Sequence, residues 1–373
     1  MDLILSEEQT LLQQSAKTFV ARNAGSHYWR NHRDDGGDLN RKIWREIAEA
    51  GWLGILMPEE SGGLDLGMTE LALVLEQGGR ELMLEPIAAS SIAAGAIARG
   101  DGAAKSDLLA AILSGEQIFL PALQENFDGS DLGQTQTATT ADGDGIRLSG
   151  SKRFIPAAAG ADGFLVSAKG SKGLLLCVVK TDDLGVSLTI DETIDASGLA
   201  QLDLEDVPVP MAQVIAAENL ASELVAWIND RLIVATSAEL LGAATKAFEI
   251  TVEYLKVREQ FDRPIGSFQA LQHIAVDEFI NVEIAKSFVY RVCASMDFGQ
   301  EDSAMAAAVK ASTSGGALSV AKNAIQLHGG IGYTDEHDIG LYLKRVAALA
   351  AQYGNQAAQI DRYAQLTNAV AVG

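Results

Sequence analysis

Cysteine is nearly absent from this 373-residue chain, which carries only Cys177 and Cys293. Two thiols cannot build a disulfide framework or a cysteine-rich zinc site. The five histidines, His27, His32, His273, His328 and His337, show no metal-ligand spacing, so no metal is expected. Basic residues are also scarce. Lys and Arg number 28 against 50 Asp and Glu, for a net charge of −22. That balance argues against a nucleic-acid backbone or an anionic membrane as partner. An anionic cofactor stays compatible, because a few local arginines and backbone N–H groups suffice. No uncharged apolar run is long enough for a bilayer. The opening MDLILSEEQT turns acidic after five residues, unlike a secretory signal. The expectation is a soluble, cytoplasmic protein.

What is present is an ordinary globular composition, 48% hydrophobic and 21% charged, long enough for two or three domains. Three zones follow, 1–115, 116–211 and 212–373. In the first, Ser6 before Glu7 and Glu8 reads as a helix cap with an acidic first turn. Ile43, Trp44, Ile47 and Ala48 share one helical face. Further helices are predicted over Thr69–Gln77 and the alanine-rich Ile87–Ala98. In the second zone, short alternating runs predict strands at Thr135–Thr139, Ile146–Leu148, Gly163–Ser167, Leu174–Val179 and Val186–Ile190. Val207-Pro208-Val209-Pro210 is expected to end the sheet, since prolines do not join a central strand. The third zone is helical again, with breaks near Asp262–Gly266, Phe298–Asp302 and Gly329–Gly332. Helical, β, then helical predicts an α+β class with segregated layers.

Two segments carry chemistry: Arg258-Glu259-Gln260-Phe261-Asp262-Arg263-Pro264 and Gln326-Leu327-His328-Gly329-Gly330-Ile331-Gly332. A Gly-Gly pair after a helix permits close backbone approach to a ligand, and an Arg can fork onto a pyrophosphate. Alone, such features are usually a turn and a surface charge. Together with Gly51-Trp52-Leu53-Gly54, Pro58–Gly63, Gly129-Ser130-Asp131, Ser149-Gly150-Ser151-Lys152 and a Gly242 sixteen residues before Arg258, they resemble the acyl-CoA dehydrogenase flavoprotein family over nearly the whole chain.

The resemblance implies a helical N-terminal domain, a middle β-barrel or sandwich and a C-terminal four-helix bundle. It implies FAD as cofactor, an acyl-CoA thioester as substrate and an electron-transferring flavoprotein as electron acceptor. It further implies a dimer or dimer of dimers in which each FAD lies between two subunits. One subunit's β-domain would hold the isoalloxazine ring beside the thioester, here through Leu123, Phe154, Ile155 and Pro156. The neighbour would reach the ADP half through Arg258, Gln260, Phe261, Gln326, Gly329 and Gly330. Ser130, Asp230 and Arg231 match CoA-side positions.

The departures are informative. Asp262 stands where the family usually has Gly. Phe154-Ile155-Pro156 replaces a Trp-Ile-Thr or Trp-Ile-Ser, and proline offers neither a hydroxyl nor an N–H to a flavin edge. The family's α-proton is removed by a carboxylate. One of its two usual positions is occupied here by Asn355 and the other by Leu232. Asp230 lies two residues from Leu232, roughly 200° round a helix, and would serve only if the helix starts differently. As plainer readings, Asp230 and Arg231 are helix-start charges, Glu239 faces a neighbouring helix, and Lys344 and Arg345 are helix-end charges. His328, Cys177 and Cys293 read as structural.

Three functional readings follow from the resemblance. The chain is a base-less subunit of an α2β2 dehydrogenase acting on bulky thioesters such as steroid side chains. Alternatively it is a self-sufficient homodimer or homotetramer in fatty-acid degradation, with an atypical base such as Asp230. The third reading is a same-fold flavoprotein with different chemistry (a desulfinase, hydroxylase or nitroalkane oxidase) or a non-catalytic subunit. Fold alone does not choose among them.

Overall fold

The computed structural model describes residues 4–37, 39–126 and 135–371. Its helices are α1 (Glu7–Asn23), α2 (Ser26–Asp34), α3 (Arg41–Glu49), α4 (Met68–Arg80), α5 (Ile87–Arg99), α6 (Lys105–Leu113), α7 (Glu218–Val257), α8 (Gln269–Asp297), α9 (Ser303–His328), α10 (Ile339–Ala351) and α11 (Gln356–Ala371). The strands are β1 (Phe119–Ala122), β2 (Ala138–Asp142), β3 (Gly145–Pro156), β4 (Gly163–Lys169), β5 (Leu174–Lys180), β6 (Val186–Asp191), β7 (Leu199–Pro210), β8 (Val214–Ala217), β9 (Glu259–Gln260) and β10 (Arg263–Pro264). The chain divides into two compact units, one of residues 1–31, 72–83 and 233–373, the other of residues 32–71 and 84–232.

In the unit spanning 32–71 and 84–232, local chemistry sets the helices. Asn40 caps α3 by accepting from the N–H groups of Lys42 (3.1 Å) and Ile43 (3.3 Å). The face Ile43, Trp44, Ile47 and Ala48 is buried as its spacing requires. Each large side chain so buried stabilises the unit by about 2 kcal/mol. Helix α5 is buried on all sides from Ala89 to Ala98. Small residues make that possible: a Cβ added at Gly95 would lie 2.7 Å from the Trp227 ring.

The sheet of this unit is mixed, with order β6-β7-β3-β2-β4-β5-β8 and β1 paired parallel to β4. The prolines do not end it. Pro208 and Pro210 lie within β7, opposite Arg147 and Gly145 of β3. Strand β6 flanks β7 only from Leu199 to Leu204, so the proline half of β7 is an edge, where a missing N–H costs nothing. The strand expected at Thr135–Thr139 begins at Ala138. The short Val-Ile-Ala-Ala strand β8, paired with β5, lies in what reads from sequence as helical territory.

The other unit is helical. Ser6 and Gln9 cap α1 reciprocally, Gln9 N–H donating to Ser6 Oγ (3.1 Å) and Ser6 N–H to Gln9 Oε1 (3.0 Å). The Ala72–Arg80 part of α4 meets α7 backbone to backbone at two glycines. A Cβ added at Gly79 would stand 2.2 Å from Glu239 O, and one at Gly242 2.0 Å from Glu76 O. Beside this contact the Tyr290 hydroxyl donates to the Glu76 carboxylate. Burial first, then the Glu76 charge, raise that phenol above its ordinary range. No helix among the described residues is long and apolar enough to cross a membrane.

Candidate functional site

Each unit carries one cluster of the residues expected to meet a cofactor. In the helical unit, α7 ends at Val257 and the chain turns through a two-stranded hairpin, with Gln260 opposite Arg263. The two central residues, Phe261 (φ 55°) and Asp262 (φ 60°), are both left-handed. That is the type I′ pattern, which favours Gly, Asn or Asp, so Asp262 is a workable replacement for glycine. The turn presents Phe261 to solvent at 86% exposure. Arg263 stacks over the Phe268 ring at 4.1 Å, and Phe261 meets that ring edge-on at 6.1 Å. Arg258 and Gln260 are exposed, and Gln260 Nε2 donates to Glu259 O (2.9 Å).

The second segment, Gln326–Gly330, sits beside the first through Tyr254. The Tyr254 ring stacks on His328 with centroids 4.3 Å apart, and its hydroxyl donates to His328 O (3.3 Å). His337 packs against both rings, 4.5 Å from His328 and edge-on to Tyr254 at 6.2 Å. Burial, and then the neighbouring His337, hold the His328 imidazole below its ordinary range despite the Ala324 carbonyl at 2.7 Å. His328 is thus held by packing on Tyr254 and His337 and by the Ala324 carbonyl. Gln326 is exposed. Gly329 has φ 66° and ψ −141°, a conformation reserved for glycine. A Cβ added at Gly329 or Gly330 would meet nothing within 4 Å. Open space above a glycine pair, an exposed guanidinium and an exposed aromatic ring fit the phosphates and adenine of a dinucleotide.

In the sheet-bearing unit, Leu123 follows β1 and is buried. Arg153 N–H donates to Gln124 O (2.8 Å), which lays that segment against β3. The β3–β7 register slips between Lys152 and Ile155, and Phe154 inside the slip has φ 58°. Ile155 and Pro156 are buried and pair with Ala200 and Leu199. Phe154, Ile155 and Pro156 thus close β3, and Leu123 lies in the segment after β1 that the Arg153–Gln124 bond ties to it. Ser130, with Gly129 and Asp131, lies outside the described residues.

A polar cluster absent from the sequence reading sits under this wall. Lys152, with no exposed surface, donates to Glu125 Oε1 (2.6 Å), Thr135 Oγ1 (2.8 Å), Ser167 Oγ (3.0 Å) and Leu123 O (3.4 Å). Glu125 also accepts from Thr137 Oγ1 (2.6 Å) and from the N–H groups of Gln136 (2.5 Å) and Thr137 (3.0 Å). Burial alone would raise the Glu125 carboxyl, but Lys152, the threonines and the Gln136 N–H outweigh it and lower it to about 2. Burial pushes the Lys152 amine down to about 8 against the pull of Glu125.

Asp230 and Arg231 are not helix-start charges. They lie in the interior of α7, which begins at Glu218, and each is only 6% exposed. Arg231 stacks on the Trp227 ring at 4.0 Å, and Arg99 stands over the same ring at 4.5 Å. Nor is Arg345 a helix-end charge. It is buried within α10 and pairs with Glu239 of α7 (3.0 Å). Helix α10 ends at a turn where Tyr353 (φ 53°) and Gly354 (φ 92°) are left-handed. Burial, and secondarily the Glu239 charge, push the Tyr353 phenol up. Asn355 is exposed, and its Oδ1 accepts from Ala358 N–H (3.0 Å) at the start of α11. An amide so placed caps a helix and cannot abstract a proton. Among the described residues, no group of three or more His, Cys, Asp or Glu could hold a metal ion.

Comparison with known proteins agrees with this arrangement along the whole chain. Models of the acyl-CoA dehydrogenase N-terminal, middle and C-terminal domains match residues 6–116, 122–207 and 229–366. The probable acyl-CoA dehydrogenase YngJ of Bacillus subtilis is 28% identical over 97% of this chain and 98% of its own length. FadE12 of Mycobacterium tuberculosis is 31% identical over 93% of both chains. Among solved structures, a variant of the Tcur3481-Tcur3483 steroid ACAD is 33% identical with a TM-score of 0.89, covering 98% of this chain and 99% of its own. The ChsE4-ChsE5 complex from Mycobacterium tuberculosis is 26% identical with a TM-score of 0.87, covering 98% of each chain. With three domain models in order and relatives matched end to end, this chain belongs to the acyl-CoA dehydrogenase family.

Proposed function

We propose that this chain is a subunit of a heteromeric, FAD-dependent acyl-CoA dehydrogenase, in which a partner chain of the same family supplies the catalytic base. One observation carries the reading. The turn after α10 bears Tyr353, Gly354 and an Asn355 engaged in capping α11, so it offers no carboxylate there. Leu232, at the other expected position, is an apolar residue only 2% exposed. The cofactor-side residues are retained by contrast. Arg258, Phe261 and Gln326 are exposed and Gly329 and Gly330 border open space, as a site that reaches a neighbour's cofactor requires. Two relatives of full-length similarity, the Tcur3481-Tcur3483 steroid ACAD and the ChsE4-ChsE5 complex, pair two differently named components. This supports a two-chain assembly and a bulky acyl group such as a steroid side chain.

When bound, FAD supplies the acceptor for the hydride leaving the acyl β-carbon. This chain's residues then have defined tasks. Arg258 and the backbone at Gly329 and Gly330 would hold the pyrophosphate, and Phe261 would cover the adenine. Leu123, Phe154, Ile155 and Pro156 would form the ring-side wall, with Pro156 contributing shape but no hydrogen-bond donor. Ser130, Asp230 and Arg231 would face the CoA side, where a guanidinium suits phosphate. Electrons would pass on to an electron-transferring flavoprotein, in the cytoplasm.

A self-sufficient homomeric enzyme is the second reading, favoured by the buried carboxylate of Asp230. The test is to purify the chain alone and co-expressed with a paralogous dehydrogenase chain, and to measure bound FAD and acyl-CoA oxidation. Flavin and turnover only in the complex are expected. Stoichiometric FAD with full turnover from the chain alone would overturn the heteromer.

A further inference from the structure

Phe154 holds a left-handed backbone, φ 58°, inside the slip of β3 against β7. A bulky residue adopts that region only where its surroundings over-determine it. The surroundings here can be named. On the far side, Ala157 N–H donates to Gly198 O (3.2 Å). On the near side, Arg153 N–H donates to Gln124 O, and Lys152 reaches Leu123 O and Glu125 from the position two residues before Phe154. Lys152 and Glu125 are the two halves of a buried ion pair, their side chains 0% and 7% exposed. Lys152 also holds Ser167 of β4, and Glu125 holds the Thr135–Thr137 backbone. The pair therefore joins the Leu123 segment, the slipped part of β3 and the strand beside them into one rigid piece.

We infer that Lys152 and Glu125 are positioning residues for the flavin ring, locking Leu123 and Phe154 into a single surface. The inference rests on the reading of that surface as the ring-side wall. Neither side chain need touch the cofactor. Both act through Phe154, whose strained conformation relaxes once the segment beside it is released. Two ordinary strands would pack without a buried charge pair, which is costly to desolvate and adds little net stability. A buried pair of this kind, next to a strained residue, fits a demand for geometry at the wall.

The test compares the parent with Lys152→Met and with the double variant Glu125→Gln/Lys152→Met, each as the co-expressed complex. Removing both charges leaves no unpaired ion, so the double variant keeps the fold if Lys152→Met alone fails. Hydrogen exchange is read at the Arg153 amide and, as internal control, at the β4–β5 ladder. The flavin is read by its absorbance band shape, its fluorescence and its midpoint potential. The expected result is exchange at Arg153 at least about tenfold faster with an unchanged β4–β5 ladder, a flavin still bound through its ADP half, a blurred absorbance band and raised fluorescence. Unchanged exchange at Arg153 would overturn the latch. Faster exchange with a parent-like flavin signature would make the pair structural only, which also overturns the inference. A parent complex that binds no flavin would instead sink the functional reading beneath it, and the parent control separates that outcome from the others.

Discussion

Lys310 of α9 drives its ammonium into the carbonyl end of α10, with Nζ 2.8 Å from Leu349 O and 3.2 Å from Ala350 O. Ser314 Oγ, 3.1 Å away, is its third partner. The side chain has no exposed surface, and burial pushes its amine down to about 7. A cation at a helix C-terminus is favourable, but a buried one is costly to desolvate.

A pH dependence follows. The folded amine titrates near 7 and the unfolded one near the ordinary value of 10.5. Between these values the unfolded chain binds more protons, so this group makes stability rise with pH across that window. Lys310→Met abolishes the effect. Urea midpoints of parent and variant from pH 6 to 9 should diverge in the parent's favour above pH 7, by up to about 1.4 kcal/mol per pH unit. Parallel curves would show that Lys310 stays charged throughout.

The open glycine pair gives a sharper test of the cofactor side. Gly330 has no left-handed φ, and a Cβ there would meet no atom within 4 Å. Gly330→Ala should therefore fold normally, with a stability change within about 0.5 kcal/mol. If a phosphate approaches that backbone closely, the methyl group excludes it, and FAD affinity should fall about tenfold, or roughly 1.4 kcal/mol. Unchanged affinity, measured by flavin titration of the apo complex, would remove Gly330 from the site.

Gly242 behaves oppositely. Its added Cβ would lie 2.0 Å from Glu76 O and 3.0 Å from Arg80 N, both backbone atoms of α4. Alanine improves helix propensity by about 1 kcal/mol, yet the backbones must separate to admit it. Gly242→Ala should be destabilising by about 2 kcal/mol or more, visible as a lower thermal midpoint. An unchanged midpoint would mean that α4 can shift without penalty.

These residues also show which information a sequence carries. The α3 face Ile43-Trp44-Ile47-Ala48 and the Ser6 cap were legible because both depend on neighbours within one turn. The helix–sheet–helix order was legible because composition changes at each boundary. Pro208 and Pro210 misled, because whether a strand is an edge depends on how far β6 extends beside it. Arg345 misled because its partner Glu239 lies 106 residues away. The Lys152–Glu125 pair was invisible for the same reason, its members being 27 residues apart. At the cofactor side, the Arg258 and Gly329 segments were visible as motifs, while Tyr254, which joins them by stacking on His328, carries no local signal.

The Glu239–Arg345 pair tests whether the turn after α10 depends on buried charge. The guanidinium is 7% exposed and the carboxylate 17%, at 3.0 Å. Arg345→Met takes the guanidinium away from a mostly buried carboxylate, and breaking such a pair costs about 3 kcal/mol. Glu239→Gln removes the charge partner of the guanidinium but keeps an amide oxygen beside it, and Met83 O lies at 3.4 Å, so the loss should be smaller. The double variant removes both charges and should recover part of the loss, giving a favourable coupling of about 1–3 kcal/mol in a double-mutant cycle. Tyr353 supplies an independent reading. Burial is the larger cause of its raised phenol and Glu239 the smaller. Ultraviolet titration of Glu239→Gln should therefore find the phenol lowered from its parent value but still above an ordinary tyrosine. A phenol restored to the ordinary range would show that Glu239, not burial, governs the turn, and additive single losses would show that the two charges act independently.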